Sequence, residues 1–144
     1  MKIVVGYLLA VVAAYVLGAV FVSQGNITAV IGMGFEITTS QRIDAMIHDV
    51  THMFDIYLPL VAIGMLIGLG VAGLIIRYVP DLRFIGYVSA GFVALIAIHV
   101  ILKAVLGLSG IAPTREIMGL VLQGLAGAGG GLVFHFMTLK KHAS

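Results

Sequence analysis

Four long apolar runs, at 3–22, 56–78, 84–106 and 117–139, constrain this chain more than anything else in it. A helix needs roughly 20 apolar residues to cross the roughly 30 Å hydrocarbon core of a bilayer, and each run meets that length. Backbone N–H and C=O groups find no water there, so only helices and closed barrels span. Barrel strands would alternate apolar and polar residues, and these runs do not. The sequence therefore predicts an all-α integral membrane protein. Residues 1–144 form a single membrane domain, a four-transmembrane-helix bundle. Composition agrees, at 61% hydrophobic and 10% charged residues, against about 25% charged in a soluble domain. With no cysteine there is neither a disulfide nor a thiolate metal site. Eight scattered Lys and Arg against six acids make no surface for nucleic acid.

Between the first two runs lies a segment of another kind, at about 39–55. Ile43, Met46, Ile47, Val50, Met53, Phe54 and Tyr57 recur at helical spacing on one face. Asp44, His48, His52 and Asp55 fall on the other. This predicts an amphipathic interfacial helix between the first and second spans. Thr38 followed by Gln41 is a capping-box signal for its start. Pro59 would clash with the carbonyl of Asp55 in an unbroken helix, so a kink or restart is expected there. Ser23-Gln24-Gly25-Asn26 is expected to end the first span, and 107–113 to make the turn before the fourth.

The distribution of Lys and Arg sets the orientation. With four spans, Lys2, Arg77, Arg83, Lys140 and Lys141 share one side, and Arg42, Lys103 and Arg115 the other. The bias places both termini in the cytoplasm and residues 23–55 in the periplasm or outside the cell. The expected location is multi-pass in the inner (plasma) membrane. The first run resembles a signal peptide in outline, with Lys2 ahead of it. Leu17-Gly18-Ala19 has Leu where cleavage wants a small residue, so an uncleaved anchor is expected.

Small residues recur every fourth position on the spans, including Gly64 and Gly68 on the second and Gly127 and Gly131 on the fourth. Lipid offers no hydrophobic drive for helices to associate, so small residues that let backbones approach mark packing faces. They point to a tight bundle or to contact with other subunits. The cluster at 127–131 holds more glycine than one contact needs.

Two groups of polar residues are candidate sites. Asp44, His48, His52 and Asp55 lie along one stripe, and His at i and i+4 is a spacing that holds a divalent metal. The competing readings are a solvated helix face and a docking face for another protein. His99 and Lys103, also i and i+4, form with Gln123 an intramembrane polar site. Its competing reading is a histidine that bonds a neighbouring helix. A haem between His99 and His135 is geometrically poor, because the two sit at opposite depths.

No phosphate-binding loop, hydrolase elbow, zincin motif or dinucleotide fingerprint occurs. The expected function is non-enzymatic, that of a structural or accessory subunit with no cofactor. It would be homo-oligomeric or bound to other membrane subunits. The alternatives are a small ion channel or proton-linked carrier, and a metal-, haem- or quinone-binding redox membrane protein.

Overall fold

The computed structural model describes residues 1–107 and 116–139. The expected turn at 108–113, with Arg115, Lys140 and Lys141, lies outside them. The described residues form five α-helices: α1 (Lys2–Gly32), α2 (Thr39–His52), α3 (Phe54–Ile76), α4 (Arg83–Leu106) and α5 (Ile117–Thr138). A single 3-10 turn at Pro80–Leu82 joins α3 to α4. Four of the helices, all but α2, are long and apolar enough to cross a membrane.

The first helix overruns its expected end. At 31 residues it is about 46 Å long, well beyond a hydrocarbon core of roughly 30 Å. Gly25 alone does not stop it, and Thr28 bonds back to the carbonyl of Gln24 at 2.8 Å. The stop comes at Gly34, in the left-handed conformation at φ +92. Its N–H donates to Ile31 at 2.9 Å and that of Phe35 to Val30 at 3.4 Å. That pair of bonds is a Schellman motif, which satisfies the last helical carbonyls.

The second helix starts where the capping box places it. Thr38 Oγ accepts from the N–H of Gln41 at 3.3 Å, and Gln41 Oε1 accepts from the N–H of Thr38 at 2.8 Å. The restart falls upstream of its expected place. The chain breaks at Met53 rather than at Pro59, which sits inside α3. The upstream break leaves Pro59 in the second turn, where its missing N–H removes one helical bond, to Asp55.

α1 packs on α5, α5 on α4 and α4 on α3, and a smaller contact between α3 and α1 closes the ring. α2 folds back along the C-terminal half of α1. Tyr15 donates to the carbonyl of Val50, and Arg42 donates to Gln24 Oε1 at 3.2 Å. The core of Ala10, Ala14, Tyr57, Val61, Met65, Leu95 and Ala126 lies between the four long helices.

Glycine makes this spacing possible. A Cβ on Gly127 would collide with the carbonyl of Gly91, and one on Gly131 with the carbonyl of Tyr87. On the adjoining face of α5, a Cβ on Gly130 would come within 2.7 Å of the Ala10 carbonyl oxygen. α5 therefore packs tightly on two neighbours at once, α4 and α1, through adjoining faces. That accounts for a glycine run richer than one contact needs. Gly68 faces Ala90 and Ala94, and Gly64 faces Leu95 and Ala94, across the α3–α4 contact.

Candidate functional site

One buried polar cluster draws a residue from each long helix. Gln123 of α5 is 1% exposed, Tyr57 of α3 is 2% and His99 of α4 is 7%. α1 contributes the backbone of Gly18. The apolar face of the 39–55 stretch continues through Met53 to Tyr57, and the break at Met53 carries Tyr57 into the bundle. Glycine at 18 makes room, because a Cβ there would collide with the Tyr57 hydroxyl.

The hydrogen bonds run across helices. The Tyr57 hydroxyl donates to Gln123 Oε1, and Gln123 Nε2 donates to the carbonyl of Gly18 at 3.2 Å. A buried amide needs partners for both its ends, and this arrangement supplies them. The His99 ring centroid lies 6.2 Å from that of Tyr57. Its Nδ1 is 2.7 Å from the carbonyl of Leu95. A carbonyl only accepts, so Nδ1 carries the proton, and Nε2 of a neutral ring would present a lone pair. That Nε2 is buried and has no partner among the described residues, and the same is true of Ser23 Oγ on α1.

Lys103 does not join the cluster. It is exposed in the last turn of α4. It makes no ion pair with Asp55, which is also exposed; the one ion pair among the described residues is His48 with Asp49, at 3.6 Å. Of the expected intramembrane trio, the structure brings His99 and Gln123 to one site around Tyr57 and leaves Lys103 outside.

The second candidate lies on the exposed side of α2. The rings of His48 and His52 stack with centroids 4.0 Å apart. His52 Nδ1 lies 2.9 Å from the carbonyl of His48 and 2.9 Å from Thr51 Oγ. Asp44 and Asp55 are exposed and do not close around the pair. Among the described residues no group of three or more His, Cys, Asp or Glu side chains is placed to hold a metal. His135 sits far from His99, with its ring 5.4 Å from that of Phe84 at the start of α4.

The cluster contains donors, acceptors and one unpaired imidazole nitrogen. The contacts among the described residues of the cluster are hydrogen bonds. Sequence reasoning missed Tyr57 and Gly18 as site residues. The available signal was a tyrosine on a face bound for the interior, whose hydroxyl needs a partner. No family model, no curated protein and no solved structure matches this chain.

Proposed function

We propose that this is a multi-pass protein of the inner membrane whose role is non-enzymatic, that of an accessory or structural subunit. The observation that carries the reading is the flank between α3 and α4, the two least covered of the spanning helices. A cleft of about 570 Å³ opens there, lined entirely by apolar side chains apart from Ser89. Small residues line both walls, Gly64 and Gly68 on α3 and Ala90, Ala94 and Ala97 on α4. In lipid such walls admit the close approach of another transmembrane helix. The occupant we assign is a spanning helix of a second copy or of another membrane subunit.

The same small residues also serve the α3–α4 contact, so the flank, rather than glycine content, supports association. Crosslinking and native-mass analysis in mild detergent, with a photoreactive side chain at Val93, tests this. The expected result is a discrete adduct at Val93 and none at Leu8, an exposed position on α1. A strict monomer with no adduct contradicts the reading.

In this reading α2 lies at the membrane interface, its exposed Ile43 and Ile47 in the headgroups beside Phe54 at the start of α3, and its histidines toward water. A second reading rests on the unpaired Nε2 of His99, which supports a small hydrogen-bonding ligand such as a quinone, or a proton-linked carrier. Against the carrier stands the apolar core around the cluster, with Ala10, Ala14, Met65 and Leu69 buried. An optical spectrum, elemental analysis and a liposome flux assay distinguish the readings. Colour, bound metal or proton leak would displace the accessory role.

A further inference from the structure

We infer that the cleft between α1 and α3, at the end of the bundle that holds Lys2, binds the phosphate-bearing headgroup of an anionic lipid. The cleft has a volume of about 600 Å³. Three cations line it, each from a different place in the chain: Lys2 opens α1, Arg77 follows α3 and Arg83 opens α4. No acidic side chain lines it. Asp81, on the turn between the two arginines, is exposed and pairs with neither.

Arg83 is the fixed member. Its Nη2 donates to Thr138 Oγ at 2.6 Å, and its guanidinium carbon lies 5.3 Å from the Tyr87 ring centroid. Its Nε is buried with no acceptor among the described residues. A guanidinium has five N–H donors, and the planar fork suits phosphate oxygens. A partly buried cation with donors to spare and no counterion among the described residues suits an anion from outside the chain. Basic pockets between spanning helices on the cytoplasmic side are where acidic headgroups settle.

The rest of the cleft decides the source of the phosphate. Beyond the basic rim its walls are apolar, with Val4 on α1 and Leu66, Leu69 and Gly70 on α3. Val4 and Leu66 are exposed, so the wall is continuous with the outer, lipid-facing surface. A Cβ added at Gly70 would meet nothing within 4 Å, so the bay beside it is open. Free phosphate fills only the rim, whereas a lipid fills the rim and lays an acyl chain along α3. The inference rests on the membrane placement proposed above and not on the accessory role.

Native mass spectrometry of the full chain, purified in mild detergent, tests it with phosphatidylglycerol, phosphatidylcholine and inorganic phosphate as probes. Phosphatidylglycerol is expected to be retained in preference to phosphatidylcholine. Loss of one basic residue, in R77Q or R83Q, should weaken that retention about fivefold. Arg77 is exposed and makes no side-chain hydrogen bond among the described residues, so R77Q keeps the test valid should R83Q fail to fold. Equal retention of the two lipids, retention unchanged in R77Q, or complete displacement of phosphatidylglycerol by inorganic phosphate would overturn the inference. Release of the protein from membranes by alkaline carbonate would overturn the membrane placement as well. A firmly embedded protein with no lipid preference would overturn the lipid site alone.

Discussion

Tyr57 and Gln123 show what a buried polar pair does in an interior that is mostly apolar. Interhelical hydrogen bonds in membranes average about 0.6 kcal/mol and reach about 1.7. Tyr57→Phe keeps the ring and strands Gln123 Oε1, so a loss of about 1 kcal/mol is expected in detergent unfolding. In a cycle with Gln123→Leu, the coupling should be of the same sign and similar size; additive losses would show that the bond contributes nothing. Glycines allow an opposed pair of predictions. Gly91→Ala drives a methyl into the carbonyl of Gly127 and should destabilise by about 1–3 kcal/mol or more. Gly70→Ala meets nothing and lies within α3, so helix propensity should stabilise it by about 0.5–1 kcal/mol. At this scale the sequence spoke clearly about small residues and poorly about polar ones. Gly127 is visible as a contact because lipid leaves glycine little other use. Which histidine or tyrosine meets which amide depends on helix rotation, and spans apolar on all sides do not encode it.

Among elements, α2 is the one whose start was legible, because Thr38 and Gln41 satisfy each other locally with no help from the fold. Thr38→Ala removes that cap and should cost about 1 kcal/mol. The loss should appear in hydrogen exchange as faster exchange across residues 39–52, with α4 and α5 unchanged; equal loss in all helices would show that α2 is not a separable unit. The end of α1 was not legible. Ser23-Gln24-Gly25-Asn26 reads as a turn in isolation, yet Ile27 is buried and α2 covers this segment, so tertiary contact overrides local preference. The Pro59 argument had the right ingredients in the wrong place. Proline forbids a regular bond to Asp55, and α3 carries that missing bond in its second turn, while the chain breaks upstream, at Met53, and Tyr57 lies buried beyond the break.

At the scale of the whole molecule, the four apolar runs reappear as four helices long and apolar enough to cross a membrane. The lengths of 56–78, 84–106 and 117–139 fall within two residues of α3, α4 and α5. The arrangement around α5 was legible only as an excess of glycine. Its meaning, two close neighbours on adjoining faces, needs three helices in view at once. The basic residues Lys2, Arg77 and Arg83 do gather at one end, as an even number of crossings requires. Which side of the membrane that end faces matters most, since the proposed placement of α2 and of the lipid cleft both depend on it. The chain has no cysteine, so single cysteines at exposed Ser40 and exposed Asp81 report cleanly. In intact cells a membrane-impermeant maleimide should label Ser40→Cys and leave Asp81→Cys unlabelled until the membrane is permeabilised. Labelling of Asp81→Cys in intact cells, or of both positions from the same side, would contradict the proposed placement.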